Sequence, residues 1–250
     1  MELWRDHLFC GVAHLVQSGV ALGLVAKDVQ DDAPQWPLDI RGWQEIVATG
    51  EYHLGWLVPI FPLLSSVNHL YSAISPTYLE SVEESESNGL RAAEYAVSAS
   101  LMIWIIGTLS GITDVASLAS LVLANVGMQF VGWLAEKRKK AGASIEELWQ
   151  LTLVGWILFF IQWVPILISF HVILLNSEVK PPPLVMTIIW TMLSIFALFG
   201  LNQYLYLFRG WSHFKYERTY IWLSLVAKSL LTWLVVGGVL AARARFKKKT

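Results

Sequence analysis

The chain has 250 residues, 55% of them hydrophobic and only 15% charged, with a formal net charge of -1. A mean hydropathy of +0.52 excludes an ordinary soluble domain, and the length excludes a single span, so a polytopic membrane protein is predicted. The charges sit in connections and tail, which leaves no basic face for nucleic acid, and Cys10, the only cysteine, excludes an internal disulfide or a cysteine-based metal site.

A membrane-crossing helix needs about 20 largely apolar residues, and seven runs of that kind follow one another. The first, 7–25, is read as a span and not a cleaved leader, because no small-residue cleavage pattern follows Val25. Residues 26–53, with Pro34, Trp36 and Pro37, form a long connection able to hold a short β-hairpin. Span two is 54–74, and an acidic connection, 75–89, with Glu80, Glu83, Glu84 and Glu86, leads to span three, 90–111. A tight turn joins it to span four, 112–134. The connection 135–147 carries the basic run Lys137, Arg138, Lys139 and Lys140, read as a juxtamembrane positive cluster. Span five, 148–175, is expected to kink or break near Pro165. Span six is 183–208 and span seven 219–242. The whole chain, 1–250, is therefore expected to form one all-α seven-span bundle.

Orientation draws on two opposed signals. Arg5, Arg91, Lys137 to Lys140, Arg209, Lys215 and Arg218 place most loop charges on the N-terminal side; Arg243, Arg245, Lys247, Lys248 and Lys249 of the tail lie on the other. Following the loops puts the N-terminus in the cytoplasm and the C-terminus outside.

The residue around which the chain is organised is Lys228, in the middle of span seven. An ammonium at that depth needs a polar interior, a counter-charge or chemical conversion, so it marks a functional site. Glu94 is four residues into span three and Lys228 nine into span seven, which puts both roughly 6 to 14 Å below the N-terminal surface. His14, His69, Gln129, Asn202 and Gln203 fall at similar depth. Arg91, Glu94 and Ser98 form one helical stripe, and Ser224, Lys228 and Thr232 another; since odd spans run parallel, the two can face each other. Glu94 is the natural counter-charge for Lys228. A plain ion pair pinning two helices would use the same residues, and His14 and His69 could equally be core histidines bonded to neighbours or proton acceptors. The far half of the membrane is apolar, from Leu101 to Ile106 in span three and Leu230 to Val236 in span seven. Of the aromatics Tyr95, Trp104, Phe160, Trp163, Trp190 and Phe196, only a minority are expected to line a pocket.

This arrangement is that of retinal proteins, and the chain resembles a heliorhodopsin. The resemblance rests on Arg91-Ala-Ala-Glu94-Tyr95 with Ser98 and Ser100, on His14, on Ser65 and His69, on Asn125, Met128 and Glu136, and on Ser224 four residues before Lys228. It implies all-trans retinal bound to Lys228 as a protonated Schiff base, with Glu94 as counterion. It also implies an inverted orientation, a polar cavity of His14, His69, Ser65, Arg91, Asn125 and Gln203, and retinal packed against Tyr95, Ser98, Met128, Phe196 and a tryptophan of span five, Trp163. Further implications are an extracellular hairpin used in a homodimer, an unidentified cytoplasmic signalling partner and no enzymatic activity. The chain departs from type-1 microbial rhodopsins, which carry an aspartate where Ser224 stands, and from their proton pumps, which carry a donor where Ile105 stands. The implied function is a light sensor with internal proton transfer and a conformational output. The rivals are a light-gated proton conductance, a non-retinal transporter built on Lys228 and Glu94, and a ligand-activated seven-span receptor.

Overall fold

The computed structural model describes residues 3–30, 36–41, 46–178 and 180–247, without the side chains of 28–30, 36–38, 40, 41, 46, 47 and 239–247. Pro34, Lys248 and Lys249 lie outside the described residues, as do the side chains of Trp36, Pro37, Arg41, Arg243, Arg245 and Lys247. The chain folds as α1 (Leu3–Gln30), β1 (Trp36–Arg41), β2 (Ile46–Tyr52), a 3-10 turn (Leu54–Leu57), α2 (Ile60–Ile74) and α3 (Pro76–Ser85). It continues as α4 (Gly89–Leu109), α5 (Val115–Lys140), α6 (Ile145–Asn176), α7 (Pro183–Phe208) and α8 (His213–Lys247). Among the described residues, seven helical segments are long and apolar enough to cross a membrane, the second being the 3-10 turn and α2 together (Leu54–Ile74).

The helices start where their caps say they should. Asn88 accepts a hydrogen bond from the Arg91 amide, Asp114 from Ser117 and Ser144 from Glu147, so three of the spans open on a satisfied backbone donor. Lys137 to Lys140 belong to the last turn of α5, where their charge complements the helix dipole. The cluster is helical and not part of the connection, and it is partnered: Lys140 Nζ pairs with Glu86 at 3.0 Å, Arg138 pairs with Glu147, and Lys139 reaches the Tyr206 carbonyl. The lysine's hydrogen bond holds the Glu86 carboxyl below its usual range.

Several boundaries also move. The acidic connection 75–89 contains the helix α3, which buries Val82 and ends on Glu86 in the left-handed region. Helix α6 runs through Pro165 without a break; proline removes one backbone donor, and neighbouring groups within a bundle can satisfy what it frees. The expected hairpin is present, β1 and β2 being antiparallel with Trp36 opposite Tyr52. It is tied down on the far side from the N-terminus. Asp39 N donates to Thr113 O at 2.9 Å, Thr113 Oγ1 donates to Asp39 Oδ2 at 2.8 Å, and Trp104 Nε1 donates to Tyr52 Oη at 3.0 Å.

The apolar core lies toward that same face. Ile103, Ile105 and Ile106 of α4, Trp163, Ile166 and Phe170 of α6, Ile188 and Met192 of α7 and Leu231 and Val235 of α8 are buried together. Leu153, Phe160, Ile168 and Trp190 point outward, as expected of side chains that meet lipid.

The turn between α4 and α5 depends on Gly111, at φ +88°, where an added Cβ would stand 2.0 Å from Ile173 Cδ1. Gly111→Ala is expected to lose about 1–3 kcal/mol through backbone strain and this clash. Its unfolding midpoint in detergent should fall clearly below that of the parent, and an unchanged midpoint would contradict the packing described.

Candidate functional site

Lys228 and Glu94 meet. On parallel helices α8 and α4, Lys228 Nζ donates to Glu94 Oε1 at 3.1 Å and to Ser224 Oγ, one turn earlier on its own helix, at 2.9 Å. It also stands 4.6 Å from the centre of the Tyr95 ring. Both charged residues are buried, at 2% and 9% exposure, so water cannot do the work of the partner. Ser65 Oγ donates to the same Glu94 oxygen at 2.6 Å. Glu94 Oε2 and the hydroxyls of Ser98 and Thr232 are buried without a protein partner, leaving the pair in a small pool of uncommitted polar atoms.

A histidine cluster lies between α1 and α2. His14 and His69 stack with ring centres 5.7 Å apart, and His14 Nδ1 is 3.3 Å from Gln17 Oε1. Gln17 donates in turn to Ser229, next to Lys228, which ties the cluster to α8. The third imidazole, His7, was not expected: its Nδ1 is 2.8 Å from His69 Nδ1. Its signal was available, because His7, His14 and Gln17 are spaced seven and three apart and fall on one helical face.

Arg91 belongs elsewhere than expected. It leaves the Glu94 stripe to pair with both Glu136 and Glu217, and its guanidinium lies 4.1 Å from the Tyr220 ring centre. Tyr216 Oη donates to Glu136 Oε1 at 2.7 Å, and Asn88 Nδ2 donates to Glu217 Oε2 at 2.9 Å. Tyr78 Oη donates to Asn88 at 2.6 Å, and burial pushes the Tyr78 phenol up to about 12. A count of apolar residues hid this centre, since it ended span four before Glu136 and began span seven after Glu217, whereas both carboxylates sit inside helices.

The remaining candidates divide. Asn125 Nδ2 donates to Ser100 Oγ at 2.9 Å, and Gln203 Nε2 to the Gly132 carbonyl at 2.9 Å; each links two helices, and neither touches the histidines. Asn202 donates to the Tyr216 carbonyl at 3.1 Å. The expected single polar layer is thus several networks: Asn202 and Gln203 bond to backbone carbonyls of other helices, and Gln129 bonds to Asn125 of its own helix at 3.4 Å.

A cavity open to the outside runs from Lys228 among α4 to α8. Tyr95, Met102, Met128, Trp156, Phe159, Phe196 and Phe199 wall it; Arg91, Glu136, Gln129 and Gln203 add a polar end. The span-five tryptophan on the wall is Trp156, while the expected Trp163 stands behind, 5.5 Å from Phe196 and edge-on to it. The heptad offset puts both on one face, which is why sequence could not choose. Gly200 keeps the groove open, since a Cβ there would come within 3.1 Å of the Trp156 ring. An elongated apolar groove with small and aromatic walls and one amine suits a polyene aldehyde, so the residues present fit retinal.

Solved structures of similar shape are rhodopsins. The transmembrane domain with linker of the Salpingoeca rosetta rhodopsin phosphodiesterase gives a TM-score of 0.74 at 12% identity, covering 100% of this chain and 74% of that one. The transmembrane domain alone gives 0.72 at 13% identity, over 96% and 85%. Thermophilic rhodopsin from Rubrobacter xylanophilus gives 0.54 at 16% identity, over 96% and 97%. No curated protein matches the chain. The seven-span fold is that of rhodopsin transmembrane domains, with a lysine on the wall of its cavity. Within that class the heliorhodopsin family model matches residues 3–240, and the chain belongs to the heliorhodopsin family.

Arg91→Gln would leave Glu136 and Glu217 buried without a cation, at an expected cost of about 3–5 kcal/mol. Glu217→Gln, which keeps the Glu136 pair, should cost less. Unfolding of the two variants in detergent checks the order, and equal losses would contradict a shared guanidinium.

Proposed function

We propose that the protein is a light sensor in which all-trans retinal is bound covalently to Lys228 and Glu94 is the counterion of the linkage. The observation that carries this reading is the 3.1 Å contact between two buried charges at the wall of an aromatic cavity. Retinal supplies light absorption and an isomerisation that displaces charge. The chain does the rest. Glu94 balances the positive nitrogen on α8 and can accept a proton at Oε1, where the Ser65 hydroxyl is already placed to support either protonation state. Ser224 holds the nitrogen from its own helix. Tyr95, Met128, Phe196 and Trp156 confine the polyene and exclude water.

The proton then has histidines beside it and none of the carboxylates a pump would need in the far half. Asp39 and Asp114 stand at the hairpin end, while Ile103, Ile105, Ile106 and Leu231 fill the depth between. That favours internal transfer with a conformational output over transport across the membrane. The loop charges support a cytoplasmic N-terminus, with the β1–β2 hairpin outside, where it would serve a homodimer. A partner that receives the signal would meet the face bearing α3 and the last turn of α5.

Expression with retinal should give a coloured protein and Lys228→Ala a colourless one; colour in that variant would remove Lys228 as the attachment point. Glu94→Gln is expected to shift the visible band to the red, because the positive charge spreads along the polyene when its anion is gone. An unchanged spectrum would remove Glu94 from its role. Illumination of voltage-clamped cells should give no steady photocurrent, and a sustained one would favour the conductance.

A further inference from the structure

His7 sits four residues from the start of α1, roughly 6 Å along the helix from its N-terminal end, whereas His14 is roughly 16 Å in. Both are buried, and His69 touches each of them: it stacks on His14 and shares one hydrogen between its Nδ1 and that of His7. The Nε2 atoms of His14 and His69 are buried and without a partner, so each is free to take a proton. The residue before His7 in α1 is Asp6, whose carboxylate is paired at 2.9 Å with Arg218 of α8.

We propose that His7 is the terminal proton acceptor of a relay His14–His69–His7 that carries the displaced proton away from Lys228 and Glu94 toward the N-terminal face. This inference rests on the light-sensor reading above. The transfer balances without any other reactant. The relay requires the shared hydrogen of the resting pair to be bonded to His69 Nδ1 and accepted by His7 Nδ1, with His7 carrying its own hydrogen on Nε2. When the Nε2–H bond of protonated His14 breaks, its proton forms a new N–H bond at His69 Nε2, and the His69 Nδ1–H bond breaks as that hydrogen crosses to His7 Nδ1, leaving His14 neutral. His69 is then neutral in its other tautomer and His7 is an imidazolium. The reverse crossing resets the pair when the proton returns. Hydrogen bonding between two imidazoles needs this one-donor, one-acceptor arrangement, which is why a 2.8 Å Nδ1 to Nδ1 contact fixes the tautomers relative to each other.

Two measurements test it. In histidine-15N-labelled protein in lipid, without retinal, a through-hydrogen-bond coupling between the Nδ1 atoms of His7 and His69 is expected, and it should vanish in His7→Phe. Its absence in the parent protein would overturn the shared hydrogen whatever the fate of the chromophore, and a colourless protein would sink the light-sensor reading while leaving this arm legible. In the retinal-loaded protein, flash photolysis of His7→Phe and His7→Asn should change the lifetime of the proton-displaced state by on the order of tenfold or more, since each removes a proton acceptor. Asn keeps a polar contact to His69 and cannot hold the proton. Lifetimes equal to the parent's in both variants, or restoration by Asn alone, would assign His7 a packing role and refute the relay.

Discussion

An ammonium group sealed from water must have an anion within reach, and the placing of α4 against α8 answers that demand. At 3.1 Å the Coulomb attraction between Lys228 and Glu94 is on the order of 5 kcal/mol at an effective dielectric of 20, much of it offset by the loss of hydration. The pair therefore contributes position more than stability. Ser224 and Ser65 finish the arrangement from α8 and α2, and the Tyr95 ring closes one side. Everything functional is measured from that nitrogen: the aromatic groove leads away from it in one direction, and the histidines lie in another.

Helix α4 carries two charges three residues apart that serve different masters. Glu94 faces Lys228. Arg91, with its long stem, reaches toward the N-terminal face and binds the carboxylates of α5 and α8. Since Glu136 sits in α5 and Glu217 in α8, that single guanidinium ties three spans beneath the cavity, while α3 and the last turn of α5 are joined through Glu86. Movement at the nitrogen thus has mechanical connections to the loops on that side. The opposite half, packed with isoleucine, leucine and valine under the hairpin, has little polar structure to rearrange.

Much of this could be read in the sequence because a bilayer leaves few choices. The sixth run, 183–208, coincides with α7, and helical spacing alone put Glu94 and Lys228 on facing stripes. The resemblance to the family, and not spacing, pointed to Met128 and Phe196, and both stand on the cavity wall. What stayed hidden had physical causes. Charged residues end an apolar run without ending a helix, so Glu136 and Glu217 fall outside spans four and seven and His7 stands only as the first residue of span one, although each is buried. Depth alone grouped Gln129, Asn202, Gln203 and the histidines, but an amide bonds to whatever polar group packs beside it, and adjacency is not written in depth. Trp156 and Trp163 are seven apart and therefore indistinguishable until α6 is rotated against its neighbours.

The central claim is the covalent seat of the chromophore on one buried amine. Reduction of the illuminated, retinal-loaded protein with borohydride, followed by peptide mass mapping, reads that seat directly. The retinyl mass is expected on the peptide containing Lys228 and on no other; a retinyl group on a different lysine, or on none, would contradict the account.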